Sequence, residues 1–501
     1  MADHHPERQS AIDAHGIIGD MRSAALVNDR GSVDFFCWPE FDSPSIFCSL
    51  LDTPDAGIFQ LAPDLPDARR EQIYLPDTNV LQTRWLSDHA VVEVTDLLPI
   101  GDSEDDLPVL MRRVRVVSGR ATFHMRCAVR HDYARASTRA QMADQDVVFE
   151  ATDQPALRLS SDQVMRIDAN AAVAQFSLEQ DQSAQFMLGG VDDPRFEQGA
   201  ADMCMERTLK FWRDWSGQSN YRGRWREMVN RSALALKLLT SRKHGAILAA
   251  ATFGLPETPG GGRNWDYRYT WIRDASFTVY AFMRLGFVEE ANAYMGWLRG
   301  RVSDCRGKSM KLNILYAVDG RQELPESELS HLAGHGGATP VRIGNQAYDQ
   351  VQLDIFGELM DAVYLVNKYG DAISHEGWKH AVEVVDQVCE NWQHKDVGIW
   401  EMRGEQHHFL HSRLMCWVAL DRAIRLASKR SLPALFARWD ETRQAIYADI
   451  WDNFWNEERG HFVQYIGGTA LDGSMLLMPL VRFVSAKDPR WLSTLQAKIG
   501  R

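Results

Sequence analysis

Residues 260–282 read GGGRNWDYRYTWIRDASFTVYAF, and this stretch decides how the second half of the chain is interpreted. Three glycines run into a segment dense in aromatic rings, aspartates and arginines, and a helical pattern follows. Aromatic faces beside charged hydrogen-bond donors suit a flat, hydroxyl-covered ligand such as a sugar. They also suit a buried ion pair packed under aromatic side chains.

The pattern predicts that a helix begins near Thr270 or Trp271, so that Arg273 and Asp274 lie in its first turn. An aspartate in the first turn interacts favourably with the helix dipole, which is a structural reason for its presence. The preceding glycines, residues 260–262, would let a loop backbone approach a ligand closely. From the residues alone, a structural ion pair and a ligand clamp both stay open.

Composition and charge place the chain in a broad class. Its 501 residues predict two or three domains, and 45% hydrophobic with 25% charged residues is typical of a soluble globular protein. A net charge of −13 without a long basic run excludes a general nucleic-acid binder. No apolar run approaches the roughly 18 residues that span a bilayer, so we expect no membrane partner. The polar N-terminus and seven scattered cysteines without CxxC pairs predict free thiols and a cytoplasmic location.

The period of the apolar residues divides the chain into domains. Residues 1–200 show short period-two runs, typical of an antiparallel β-sandwich, with hairpin signals at 28–31 and a turn expected at Ser118–Gly119. Residues 201–222 predict a linker helix region. Residues 223–501 have a helical period and predict a helical array, in which Trp225 and Met228 lie on the apolar face of an early helix. Sites are expected in the loops that join the helices.

A second candidate site is DVGIWEMRGEQHHFLHSRLMCW, residues 396–417. Glu401 follows Trp400 in a glycine-flanked loop between two predicted helices. A carboxyl group against a tryptophan is partly desolvated, which raises its pKa and lets it act as a general acid near neutral pH. The plainer alternative, which this feature alone favours, is a loop glutamate paired with Arg403.

The same segment also has a spacing of histidines that a metal site could use. His407 and His411 are four residues apart, with Glu405 and His408 close by. The chain has no HExxH motif and no second cluster of ligands, so we expect no metal. It also lacks a P-loop, a dinucleotide fingerprint and a GxSxG motif, so no cofactor is expected. The remaining chemistry is that of carboxylates and hydrogen bonds on a neutral polar ligand.

Four segments occur in a characteristic order along the chain: IGDMRSAALVNDRGSVDFFCWPEFDSPSIFCSLLD, RNWDYRYTWIRDASF, PVRIGNQAYDQVQLDIFGE and GIWEMRGEQHHF. Together they resemble glycoside hydrolase family 15, the glucoamylases and related trehalases, in its bacterial two-domain branch. The resemblance covers nearly the whole chain and implies an N-terminal β-sandwich followed by an (α/α)6 barrel, with the site among the inter-helix loops.

The resemblance implies a role for each matching residue. Arg273 and Asp274 match the pair that hydrogen-bonds the distal hydroxyls of the terminal glucose. Glu401 matches the general acid. The matching aromatic residues surround the same sugar ring or lie beside the acid: Tyr267, Trp271 and Trp400.

The family's general base lies well downstream of the acid. Here the acid is residue 401 and the sequence ends at 501, so we expect an incomplete barrel without its last helices, and a base outside this chain. The 501-residue chain is therefore expected to hydrolyse α-glucosides poorly. Three acids of the long polar loop after residue 322 are the substitutes considered for the base: Glu323, Glu326 and Glu328.

The leading functional expectation is an inverting, exo-acting hydrolase that releases glucose from the non-reducing ends of α-glucosides, like a glucoamylase. The alternative within the family is a trehalase. Two alternatives come from other classes: a glycoside phosphorylase, which uses phosphate instead of a protein base, and an inactive chain that binds sugar. In each case the expected partner is a small oligosaccharide or disaccharide.

Overall fold

A computed structural model of the chain describes residues 9–193, 200–304, 312–370 and 372–499. The chain forms two compact units. The first comprises Met1–Tyr269 and Pro325–Asn345, and the second comprises Thr270–Leu324 and Gln346–Arg501. No helix of the described residues is long and apolar enough to cross a membrane.

The first unit is built on antiparallel strands, as the alternating apolar pattern predicts. Short two-stranded ladders occur later in the chain. The principal strands are β1 His15–Gly19, β2 Ala24–Asn28, β3 Ser32–Cys37, β4 Ser45–Phe47, β5 Ile58–Pro63, β6 Arg69–Tyr74, β7 Leu81–Leu86, β8 Ala90–Leu97, β9 Leu110–Ala128, β10 Arg139–Ala143, β11 Asp146–Glu150, β12 Leu157–Ser161, β13 Arg166–Asp168, β14 Ala171–Glu179 and β15 Ser183–Gly190. The short strands are β16 Thr270–Trp271, β17 Leu315–Tyr316, β18 Ser327–Glu328, β19 Arg342–Ile343, β20 Trp455–Asn456 and β21 His461–Phe462.

Two sheets share the long strand β9. The first part of β9 pairs with β8 and β15, and that sheet continues through β7 to β6 and through β12 and β11 to β10. The last part pairs with β5 and β14, and that sheet continues through β3 and β2 to β1 and out to β13. One apolar cluster joins buried side chains from both sheets. This large antiparallel β-domain confirms the fold class expected for the N-terminal part.

The hairpin signals have different outcomes. The 28–31 hairpin is confirmed, because β2 and β3 pair antiparallel around it. The turn expected at Ser118–Gly119 is wrong, since β9 runs through it as a 19-residue strand. Gly119 has φ +79°, and a Cβ there would lie 2.0 Å from the carbonyl oxygen of His89. Glycine therefore permits an irregularity inside a strand whose two parts pair with other strands.

A buried ion pair anchors the first part of β9. Arg112 Nε donates to Asp96 Oδ1 at 2.7 Å, and both side chains are fully buried. Arg112 also donates to the carbonyl oxygens of Gly31 and Phe59. The guanidinium group thus hydrogen-bonds strands of both sheets, and its charge is balanced within the core.

Helices α1 Ala200–Ser216 and α2 Arg226–Leu238 also belong to the first unit. The apolar face expected for α2 is wrong: Trp225 is 54% and Met228 66% exposed. The buried face includes Asn230, because its amide donates to Asp77 Oδ1 at 3.2 Å. The first unit continues to Tyr269, beyond residue 223, where the sequence places the start of the helical domain. The residue-223 boundary stays a prediction.

The second unit is helical. Its inner helices are α3, α5 and α7, and α4, α6 and α8 pack outside them. Helix α7 is buried on every side over most of its length, whereas α8 buries a single stripe. Over the described residues this arrangement supplies three inner–outer pairs of an α/α barrel. The helices are α3 Ile272–Leu285, α4 Val288–Asp304, α5 Ile355–Tyr369, α6 His375–Asn391, α7 Leu410–Arg430, α8 Phe436–Phe454, α9 Leu477–Leu480 and α10 Pro489–Ile499.

The cysteines follow the expectation where the structure describes them. Six of the described cysteines form no disulfide; five of them are buried and Cys389 is partly buried. Cys305 lies outside the described residues. The predicted cytoplasmic location stays a prediction.

Candidate active site

The loop between α6 and α7 is fixed by a buried aspartate. Asp396 accepts hydrogen bonds from the backbone N–H of Leu353 at 2.9 Å, the N–H of Gly398 at 3.2 Å and the hydroxyl of Ser412 at 2.6 Å. Burial raises the pKa of Asp396 to about 6, although these donors oppose the shift. One side chain therefore ties the start of the loop to the segment before α5 and to the first turn of α7.

Glu401 occupies an uncommon backbone conformation in this loop. Its φ of +53° lies in the left-handed region, which costs a non-glycine residue about 1–2 kcal/mol. The backbone N–H of Glu401 donates to Gly398 O at 3.1 Å, and that of Met402 donates to Val397 O at 3.2 Å. The tight turn holds the strained residue in place, and such strain is concentrated at functional sites.

The carboxyl group of Glu401 is held by two donors from the start of α3. Trp271 Nε1 donates to Glu401 Oε1 at 2.6 Å, and Arg273 Nη2 lies 3.4 Å from the same oxygen. Trp271 is buried, and its backbone pairs with Leu315 in the β16–β17 ladder. Burial raises the pKa of Glu401, while Arg273 and Trp271 oppose that rise. The pKa of Glu401 is shifted in the direction that a general acid requires, and its role as the acid stays a prediction.

Arg273 connects the acid with the rest of the predicted clamp. Its guanidinium group lies 3.4 Å from Asp274 Oδ2 and donates to Gln352 Oε1 at 3.5 Å and Ile399 O at 3.3 Å. The side chain of Asp274 is 46% exposed, whereas Arg273 is mostly buried. The structure thus brings Arg273, Asp274 and Glu401 together. The role of the first two in binding sugar stays a prediction.

Trp400 has a different partner from the one that its position in the sequence suggests. It is 53% exposed, and its Nε1 donates to Asp472 Oδ2 at 2.7 Å. Gln464 and the backbone of Ser474 also donate to Asp472, and these bonds hold its pKa below the usual value although burial opposes them. The indole that hydrogen-bonds Glu401 is that of Trp271. Sequence adjacency pointed to Trp400 instead.

Tyr267 and two of the three substitute bases belong to the first compact unit, whereas Glu323 belongs to the second. Tyr267 belongs to the first compact unit, where its hydroxyl donates to Glu257 Oε1 at 3.3 Å. Glu326 and Glu328 also belong to that unit, and both pair with Arg342, at 3.2 and 3.7 Å. Glu323 is exposed. The sugar-binding role of Tyr267 stays a prediction.

The two histidines of the metal interpretation have separate surroundings. His407 stacks on Tyr465 with ring centroids 4.4 Å apart. His411 is buried, with Nδ1 3.4 Å from Asp354 Oδ2 and Nε2 3.9 Å from Glu358 Oε1. Among the described residues, no group of three His, Cys, Asp or Glu side chains is arranged to hold a metal ion.

Sequence reasoning did not assign roles to Gln352, Asp354 and Glu358. All three are buried and lie in or just before the first turn of α5, whose pattern predicted only a helix. A usable signal was present, because two acids one turn apart interrupt an otherwise apolar helix. Such acids are buried only when other groups compensate their charge.

Comparison with known proteins gives the family. Residues 223–499 match glycosyl hydrolases family 15, and residues 5–188 match a trehalase-like N-terminal domain. The chain belongs to glycosyl hydrolase family 15. It is therefore placed among the glycosidases, as the four ordered segments implied.

Individual relatives of this family 15 chain cover nearly all of it. The trehalase of Mycolicibacterium smegmatis is 36% identical over an alignment of 516 positions, which covers 97% of this chain and 76% of that protein. The trehalase of Thermoplasma volcanium is 30% identical over an alignment of 491 positions, which covers 97% of this chain and 78% of that protein. A bacterial glucoamylase solved with acarbose superposes with a TM-score of 0.68 at 14% identity, over 99% of this chain and 79% of its own. This superposition confirms the β-domain followed by the (α/α)6-barrel fold.

Proposed function

We propose that the protein is a trehalase that hydrolyses α,α-trehalose with inversion and uses Glu401 as general acid. The observation that carries the proposal is the Glu401 carboxyl group held by Trp271 at 2.6 Å and Arg273 at 3.4 Å. The choice of substrate rests on the similarity to trehalases over 97% of the chain. That similarity supports the trehalase alternative better than the glucoamylase-like expectation. The hydrolase family also favours hydrolysis over phosphorolysis.

In the proposed reaction, Glu401 donates its proton to the glycosidic oxygen as the bond to the anomeric carbon breaks. A base on the opposite face of the ring takes a proton from the attacking water, and the configuration inverts. Burial keeps Glu401 protonated at higher pH than an exposed glutamate. The hydrogen bond from Trp271 fixes the direction of the carboxyl group, and proton transfer requires such alignment.

Arg273 and Asp274 suit the proposed binding of a terminal glucose. The guanidinium group supplies only donors, and the half-exposed carboxylate of Asp274 supplies only acceptors. A sugar hydroxyl can accept from the first and donate to the second. Trp400, which is half exposed, is proposed to supply aromatic surface for the sugar rings, whereas the buried Trp271 holds the acid.

The first experiment measures substrate choice and stereochemistry. The purified protein is incubated with trehalose, maltose, isomaltose and maltotriose, and glucose release is followed. In early ¹H NMR spectra of the trehalose reaction, inversion produces one β-glucose for each α-glucose before mutarotation. Retention would produce α-glucose alone and would contradict the proposed mechanism.

The second experiment tests the acid. Glu401→Gln is expected to remove most turnover of trehalose, because glucose is a poor leaving group without protonation. An aryl α-glucoside with an activated leaving group needs little protonation and should lose less. Glu405→Gln is the matched control, since Glu405 is an exposed glutamate of the same loop. Equal loss on both substrates would contradict the role of Glu401.

The alternatives have distinct outcomes in the same assays. Cleavage of maltose or isomaltose with trehalose untouched would replace the proposal by the glucoamylase-like function. Phosphate-dependent release of glucose 1-phosphate would show a phosphorylase. Binding of trehalose in calorimetry without any cleavage would show a sugar-binding chain.

A further inference from the structure

Three ionisable side chains form a buried acidic group in the second unit: Asp354, Glu358 and His411. All three are at least 97% buried. Asp354 precedes the first residue of α5, Glu358 lies one turn later, and His411 faces both from the first turn of α7. Within the described residues, neither carboxylate oxygen of Asp354 and neither ring nitrogen of His411 has a hydrogen-bond partner. Burying polar groups without hydrogen-bond partners costs free energy, so their presence in a folded protein needs a structural or functional reason.

Arg273 contacts Glu401 and also the segment that carries Asp354. Its guanidinium group donates to Gln352, two residues before Asp354, and lies 3.4 Å from Glu401. Burial opposes the charge of Arg273, but the negative charges of Asp274, Asp354 and Glu401 outweigh burial and raise its pKa. The arginine is therefore a mostly buried cation whose charge several nearby acids stabilise.

The surroundings shift the pKa values of the two buried acids in opposite directions. Burial and the neighbouring Asp354 raise the pKa of Glu358 well above its usual value, which favours its neutral form. Burial also acts against the charge of Asp354, but His411 and Arg273 overcome it and lower the pKa of Asp354. Asp354 is therefore the member of the group whose negative charge its surroundings favour, and Arg273 is one of the cations that favour it.

This balance addresses a difficulty at the acid. A general acid must hold a proton, yet an arginine 3.4 Å away favours the ionised carboxylate. Resting on the proposed function, we infer that Asp354 is a positioning residue that neutralises Arg273 from the buried side and thereby keeps Glu401 protonated. His411 and Arg273 hold Asp354 in its ionised form. Arg273 can then bind sugar hydroxyls without deprotonating the acid.

Other ionisable groups interact electrostatically with Asp354 or Glu358. They lie on α3, α4, α5 and α7 and in the loop before α7. They are Asp274, Tyr294, Asp361, Asp396 and Cys416. None of them is changed in the variants below.

The test follows Glu401 directly. The protein is labelled with ¹³C at glutamate side-chain carboxyls, Glu401 is assigned by loss of its signal in Glu401→Gln, and its titration is measured by NMR. Asp354→Asn, which removes the charge and keeps the shape, is expected to lower the pKa of Glu401 by about one unit. Glu358→Gln is the matched control, because it replaces the buried acid whose raised pKa favours the neutral form, with a side chain of the same shape. It should leave the Glu401 titration almost unchanged.

Activity gives a second readout. In Asp354→Asn the alkaline limb of kcat/KM for trehalose should move about one pH unit lower, a tenfold loss on that limb. A merely structural role would reduce the rate at all pH values without moving the limb. If Asp354→Asn fails to fold by circular dichroism, His411→Gln should move the titration in the same direction, since it removes the group that keeps Asp354 ionised.

Two outcomes overturn the inference. One is an unmoved Glu401 titration in folded Asp354→Asn or His411→Gln. The other is an equal displacement in Glu358→Gln, which would show a general response to any change in the group. The NMR titration needs no substrate. Its result is therefore independent of whether the wild-type protein cleaves trehalose, which tests the proposed function.

Discussion

Replacing Trp271 by phenylalanine tests how the structure holds the acid. The substitution keeps an aromatic ring at the start of α3 but removes the indole N–H that donates to Glu401 Oε1 at 2.6 Å. A donor to a carboxylate stabilises its ionised form and lowers its pKa. Removing that donor must therefore raise the pKa of Glu401.

The size of the change follows from the geometry. A hydrogen bond to a charged group contributes about 1.5–3 kcal/mol, and one pKa unit corresponds to about 1.4 kcal/mol. The side chain of Glu401 is 20% exposed, so water partly replaces the lost donor. We therefore expect the lower end, a rise of about one unit. The less firmly oriented carboxyl group should also reduce kcat by about tenfold or more.

The assay is the NMR titration of Glu401 together with the pH dependence of kcat/KM on trehalose. Trp400→Phe is the matched control, because the Trp400 indole donates to Asp472 and its loss leaves the bond from Trp271 in place. A pKa of Glu401 that stays constant or falls in Trp271→Phe would refute the reasoning. An equal rise in Trp400→Phe would show that Trp400 governs the acid, as sequence adjacency suggested.

Three further predictions concern stability. Glu358→Gln should raise the melting temperature more at pH 8 than at pH 5. Because the pKa of Glu358 is raised in the native state, the wild-type protein loses stability as the pH rises above the unfolded pKa of about 4.3. Equal gains in melting temperature at both pH values would contradict this. Gly119→Ala should lower the free energy of unfolding by about 2–4 kcal/mol in urea titrations, whereas the control Gly190→Ala should be nearly neutral. Similar losses in the two variants would count against the close approach at Gly119. Arg112→Leu should cost about 3–5 kcal/mol because it leaves Asp96 charged in the core, and adding Asp96→Leu should recover at least half; no recovery would place the loss in packing.

Much of the fold follows from the spacing of apolar residues, but not the partners of each element. Alternation identifies both parts of β9, yet a glycine after a serine is compatible with a turn or with an irregular strand. The choice is made by β8, β15, β5 and β14, which pair with the two parts and are distant in sequence. The same limit applies to α2, where the buried Asn230 is paired with an aspartate from a distant turn.

The same holds for the candidate site: the sequence identifies its charged residues but not the side chains that each of them contacts. Arg273, Asp274 and Glu401 stand out in the sequence because charged residues cluster in glycine-flanked aromatic segments. Which indole contacts the acid depends on side-chain direction, and an amino-acid sequence does not specify it for residues in a strained loop. The four-residue spacing of His407 and His411 is that of two helical histidines that bind one metal ion. Their true environments, a stacked aromatic ring and a buried acidic group, depend on how α5 and α7 pack.

The shared strand β9 has a consequence for how the β-domain folds. Because one strand completes both sheets, neither sheet can form its full ladder before residues 110–128 are ordered. The amides of β9 should then exchange with solvent together, in a single global opening and not in two separate ones. Cleavage of the chain at Gly119 is therefore expected to destabilise both sheets together, because it separates the two parts of β9 that link their unfolding.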